Sequence, residues 1–400
     1  MQVLLYTDYM ADIKKITFLT GHSWHTNRQG GFHQFAKAAC DAGIETVFFS
    51  FPRPYYNYFT KQELYNRKSI QSLTRGIEYK TGRSVLHNIT LPTFKLPNAA
   101  GRILSDSLLN ALERTSLHSF SALCRTYIDG TDIFVFESCD GIIFFDRLKR
   151  MYPNARFIYR PSDPMMIDGA PSRYVTNETH IMRNADLNII VNDTGLALYR
   201  KKIADFDRSI RYTVLSNGVD IESYETQYPV PEPLQKPNTV VYIGAWEVEW
   251  DLLFTAADAT PDFNYVVVCP NYPDNRIIEK VQTKKNLDYI RGISPSEVPA
   301  WVTNSRVIMV PYKTDFYKAR PYLGITAKYY QAMAARRPIV SYADTPALLD
   351  IGVRATYTYD DFINAVTQAM QEKERSYTFD LSNRRWDTVN AEFLRLAAQG

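Results

Sequence analysis

The chain has only four cysteines in 400 residues, and no two of them stand at metal-ligand or redox spacing. Cys40, Cys124, Cys139 and Cys269 therefore read as free thiols of a reducing compartment. No apolar run follows a basic head at the N-terminus, so no signal peptide is expected. No stretch approaches the roughly 18 uninterrupted apolar residues of a spanning helix. Charge of one sign is also scarce, with a net charge of +3. That is far from the lysine and arginine density of a dedicated nucleic-acid binder. A local basic face would still suit an anionic substrate or lipid surface. The G-x-G-x-x-G spacing is missing from "TGHSWHTNRQGGFH" (20–33), which argues against nicotinamide binding. His22, His25 and His33 lie in that stretch with no matching carboxylate pattern, and no D-x-D stands at a strand end, so no metal site is expected. The stretch reads instead as a loop lining an acceptor pocket.

What is present is the material of two folded domains: 45% hydrophobic and 22% charged residues. Short β-rich runs alternate with amphipathic stretches, the pattern of α/β units and parallel sheets. In the first half the expected strands are 15–20, 45–50, 132–137, 156–160, 187–191 and 212–216. "FHQFAKAACDAG" reads as a helix stopping at Gly43. "TQYPVPEPLQKPN" (226–238) carries four prolines and reads as an interdomain linker. The rhythm restarts with strands at 239–244, 264–269, 306–312 and 338–342, and a helix over 325–335 between the last two. The expected domains are 1–225 and 239–380, with a C-terminal helix in 381–400 that returns to the first domain. The aromatic, basic stretch 51–62 and the mixed stretch 91–112 interrupt the first domain. Each fits either an acceptor-facing or membrane-facing surface or packing on the sheet.

In open parallel sheets, ligands bind beyond the carboxyl ends of the strands, and two such domains would face each other across a cleft. Asp163 follows the 156–160 strand directly, between Pro161 and Pro164, which restrict the backbone on both sides. A carboxylate held there suits a general base, and equally a turn or cap. Asp220 follows the turn signal Asn217–Gly218 and either lines the cleft or only shapes a turn. Gly244 ends a strand and lets a ligand approach the backbone. Trp246 stands two residues on, either covering a base or sugar or buried in the core. "RPYLGITAKYYQAMAARRPIV" (320–340) is the most informative stretch. A helix beginning at Gly324 would place Lys328 in its first turns, where the dipole disfavours a cation unless an anion is bound. Gln331 shares the face of Lys328. Lys318 and Arg320 precede the helix and add positive charge. Tyr312 ends the neighbouring strand and would offer its hydroxyl to a phosphate or sugar.

Taken in order, "VFESC" (135–139), "FIYRPSDPM" (157–165), "NGVD" (217–220) and "YLGITAKYYQAMAARRPIV" resemble the GumK-like glucuronosyltransferases of bacterial exopolysaccharide synthesis. The resemblance implies a GT-B fold of two Rossmann-like domains. It implies transfer of glucuronate from UDP-glucuronate to a lipid-linked oligosaccharide, with inversion, without a metal ion, by a cytoplasmic protein attached peripherally to the inner face of the plasma membrane. It places the family's catalytic aspartate at Asp163 and its donor-binding residues at Asp220, Gly244, Trp246, Tyr312, Lys328 and Gln331. Trp246 stands where the family has methionine, Ala327 replaces the methionine before the lysine, and a family glutamate is replaced near Leu198. These departures leave the reaction type standing and the donor sugar open. A UDP-sugar 2-epimerase of the same architecture and a non-catalytic sugar-binding module are the alternative readings.

Overall fold

The computed structural model describes residues 12–26, 29–271 and 273–399. The chain divides into two compact units, Met1–Asn217 with Asp387–Gly400, and Gly218–Trp386.

The first unit is built on β1 (Lys15–Thr20), β2 (Glu45–Ser50), a short β3 (Arg53–Pro54), β4 (Ile77–Thr81), β5 (Ser84–Ile89), a short β6 (Pro92–Thr93), β7 (Ile133–Phe136), β8 (Arg156–Tyr159), β9 (Leu187–Ile190) and β10 (Tyr212–Val214). The main sheet runs β10-β9-β8-β7-β1-β2-β5-β4, and every pairing is parallel except the β4–β5 hairpin. Both faces are covered, so the central strands are continuous apolar runs. On one face Leu19, Phe49, Phe134, Phe136 and Phe157 meet in a common core. On the other, Phe18 meets Phe32 of the helix Gly31–Asp41 and Phe393 of the helix Trp386–Ala398. Phe35 and Phe393 stack at 4.1 Å, which is how the last helix belongs to the first unit.

The second unit has β11 (Thr239–Ile243), β12 (Asn264–Val268), β13 (Leu287–Ile290), β14 (Val307–Pro311), β15 (Ile339–Tyr342) and β16 (Arg354–Thr356). They form a fully parallel sheet in the order β13-β12-β11-β14-β15-β16. This is the doubly wound order, with its topological switch between β11 and β14. In the first unit the reversal falls between β1 and β7. Ligand chemistry is therefore to be sought after those four strands.

The boundary lies earlier than the proline-rich stretch. Residues 218–225 go with the second unit rather than the first, and 226–238 is not a free linker: Leu234 is buried in the second unit's core, and the Asn304 amide donates to the Tyr228 carbonyl at 3.3 Å. The entering and leaving segments of this unit are tied together, with Val219 N–H donating to Arg384 C=O at 2.6 Å.

Candidate active site

In the first unit, the ends of β1, β7 and β8 converge. Glu137 follows β7 and is almost completely buried. It accepts hydrogen bonds from Ser162 Oγ at 2.6 Å, His22 Nε2 at 3.1 Å and Thr20 Oγ1. Ser138 Oγ accepts the backbone N–H groups of Ser162 at 3.1 Å and Asp163 at 3.3 Å. Asp163 stands at the solvent edge of this group. Partial burial, then the charge of Glu137, pushes its carboxyl above the usual range, and His22 opposes that rise. Below it, Glu178 accepts the Tyr159 and Tyr199 hydroxyls at 2.8 and 2.7 Å, and the Met165 and Met166 N–H groups at 2.8 and 2.7 Å. The loop after Asp163 is thus held by a buried carboxylate as well as by its prolines. His33 and His25 turn elsewhere: His33 is buried on the Ser23 carbonyl at 2.9 Å, and His25 meets the edge of Tyr79 at 4.8 Å. No group of three or more histidine, cysteine or acidic side chains among the described residues is arranged to hold a metal ion.

In the second unit, Lys328 is the second residue of the helix Ala327–Ala334. The helix starts later than its sequence suggests. Gly324 is not its first residue but a left-handed turn residue at φ 60°, and Thr326 is the N-cap without a side-chain cap bond. Lys328 Nζ donates to the Tyr312 hydroxyl at 2.6 Å. No carboxylate among the described residues comes within ion-pairing distance of it. Burial pulls its pKa down to about 8, with Asp344 the main opposing charge. Tyr312 is fully buried, stacked on Phe316 at 3.9 Å, so in this structure it holds Lys328. Gly244 leaves room for that ammonium: a Cβ there would lie 3.0 Å from Lys328 Nζ and 2.4 Å from the Tyr242 hydroxyl. Lys328, Gln331, Thr326 and Ile243 line a cavity of about 350 Å³, within the range of small-molecule sites. Trp246 is exposed, with the Arg320 guanidinium over its ring at 4.6 Å and the edge of Phe316 at 5.5 Å. Lys318 is engaged by Asp315 at 2.5 Å.

The structure thus brings Gly244, Tyr312, Lys328 and Gln331 together and joins Trp246 to them through Phe316. Asp220 makes none of these contacts; it accepts the Ser223 N–H at 3.3 Å, as a turn aspartate does. Glu137 is a site residue that the sequence alone does not mark, although it stands at a strand end in "VFESC" as Asp163 and Gly244 do at theirs.

Residues 18–191 match the family model described as "Glucuronosyltransferase GumK, N-terminal domain". A UDP-glucuronate:glycolipid 2-beta-glucuronosyltransferase of Xanthomonas campestris pv. campestris is 23% identical over 201 residues, 47% of this chain and 48% of that protein. The chain thus aligns with about half the length of that curated relative. Among solved structures, sucrose-phosphate synthase from Thermosynechococcus elongatus superposes with a TM-score of 0.61 at 14% identity, over 96% of this chain and 94% of that one. Anabaena HepE in complex with UDP and glucose gives a TM-score of 0.55 at 11% identity, over 96% and 95%. The chain is GumK-like in the sequence of its first unit and has the GT-B fold of glycosyltransferases along its length.

Proposed function

We propose that the chain is an inverting, metal-independent glycosyltransferase that moves glucuronate from UDP-glucuronate to a lipid-linked oligosaccharide in bacterial exopolysaccharide or capsule synthesis. The observation that carries the reading is Lys328, an ammonium at a helix N-terminus in a cavity, bonded to a tyrosine hydroxyl and lacking a carboxylate partner among the described residues. Both the helix end and the ammonium call for an anion, and the diphosphate of a UDP-sugar supplies one. Gln331 and Trp246 would bound the donor.

Asp163 would take the proton from an acceptor hydroxyl. As the new C–O bond forms at the anomeric carbon, the bond to UDP breaks and its electron pair leaves on the β-phosphate oxygen. Lys328 and the helix N-terminus would stabilise that charge. The first-unit match to the glucuronosyltransferase family and the name of the Xanthomonas relative support glucuronate and a glycolipid acceptor. No helix among the described residues is long and apolar enough to cross a membrane. Peripheral attachment to a membrane surface is supported by Phe59, Ile103 and Leu117, large apolar side chains exposed on the first unit. The stretches around them touch, with Leu117 N–H donating to the Tyr55 hydroxyl at 2.9 Å and Tyr55 packing on Phe94 at 4.9 Å.

The test pairs donor binding with transfer. Asp163→Asn should keep UDP affinity and lose transfer by about 10²–10⁴-fold, the usual worth of a general base. Full transfer in that variant would falsify the role of Asp163. A thermal-shift panel of UDP-sugars should favour UDP-glucuronate. Conversion of the donor to a C2 epimer without acceptor would point to an epimerase.

A further inference from the structure

One buried carboxylate ties together the two loops that meet at Asp163. Glu137 binds Thr20 and His22 from the end of β1, and Ser162 from the loop after β8. Its neighbour Ser138 fixes the backbone of Ser162 and Asp163. Nε2 of His22 is occupied by Glu137, which leaves Nδ1 turned away from that carboxylate. About half of the His22 side chain remains exposed.

The charged and titratable groups that face this ring are Glu137, Arg53, Asp163 and His33. Those that face Asp163 are Glu137, His22 and Tyr199. Arg160 is buried behind Glu137, bonded to Asn217 at 2.6 Å. Arg53 is spent on Ser23 at 3.0 Å and on the face of Tyr65. Burial favours the neutral form of His33, and its bond to the Ser23 carbonyl opposes this only in part. His22 is therefore the titratable cation shared by the two carboxylates.

We propose that His22, fixed by Glu137, is a positioning residue that keeps Asp163 ionised for proton transfer, an inference that rests on Asp163 being the base. The hydrogen bond to Glu137 raises the pKa of His22. The imidazolium then opposes the burial and the Glu137 charge that raise the pKa of Asp163. Losing it costs reactivity through Asp163, without touching the donor.

The acid limb of kcat/KM against pH reports the ionisation of Asp163 in the free enzyme. His22→Gln should move that limb to higher pH, with UDP affinity unchanged. A limb that stays in place overturns the proposal. Loss of transfer at every pH also overturns it, because His22 would then be the proton acceptor itself. The coupling is reciprocal, so it has a second readout that does not depend on the His22 variant folding. In Asp163→Asn, a change at an exposed position, the His22 ring followed by NMR should titrate at lower pH than in the parent. An unmoved titration overturns the proposal, whereas full transfer by Asp163→Asn overturns the assignment of the base instead.

Discussion

Lys328 shows how a single residue carries both a fold constraint and a chemical one. Burial lowers its pKa to about 8, and Asp344 and then Cys269 pull it back up. A bound anion favours the charged form and raises the pKa again. Binding of UDP should therefore take up a proton near pH 8, and its affinity should fall as pH rises through that value, by up to about ten-fold per pH unit. Titration calorimetry in two buffers of different ionisation heat would show the uptake. Lys328→Met should weaken UDP and flatten its pH dependence; a variant that retains the slope would place the titrating group elsewhere. Gly244 and Lys328 could be chosen from sequence because a glycine at a strand end and a lysine at a helix start each contradict a purely structural need. Glu137 lacked such a contradiction. A carboxylate after an apolar strand becomes informative only when its partners, Thr20, His22 and Ser162, arrive from distant parts of the chain.

At the scale of elements, the loop 161–171 depends on Glu178 in the helix Ser172–Asn184. Burial raises the pKa of this carboxyl and its donors oppose the rise. Glu178→Ala would leave the Tyr159 and Tyr199 hydroxyls and the Met165 and Met166 N–H groups unpaired, at about 1–3 kcal/mol for each that water does not reach. Hydrogen exchange at Met165 and Met166 should accelerate, and transfer should fall with UDP affinity intact. Unchanged exchange would show that the prolines alone hold the loop. The strands expected from sequence form. The β4–β5 hairpin escaped because "IEYKTGRSVLHNI" (77–89) mixes charge into β4 and polar residues into β5, and β4 lies at the sheet edge where one side needs no burial. β13 and β16 each include a charged residue and offer no hydrophobic run to mark them.

At the scale of the whole molecule, the first unit closes with residues from both ends of the chain. Phe393 stacks on Phe35 and lies against Phe18, fully buried. Phe393→Ala should destabilise the first unit by about 3–5 kcal/mol. The second unit should be spared, so thermal unfolding should separate into two transitions with UDP still protecting the later one. A single transition, lowered as a whole, would show that the units unfold together. The likeness of fold to sucrose-phosphate synthase and HepE extends over nearly the whole chain, whereas the likeness of sequence to the GumK family is carried by residues 18–191.

The sequence by itself determined the class of fold, because the alternation of apolar strands and amphipathic helices is a local pattern of burial. It also pointed to Asp163, Gly244 and Lys328, each marked by a local oddity of backbone or charge. Tertiary structure alone decided the division at 217/218, since membership in a core depends on what a segment touches and not on its prolines. It alone decided that Tyr312 holds Lys328, that Trp246 is exposed beneath Arg320, and that Glu137 joins His22 to the loop of Asp163. Those pairings link residues 16 to 115 positions apart. Only the folded sheet, with its strand ends side by side, brings them within hydrogen-bonding or ring-contact distance.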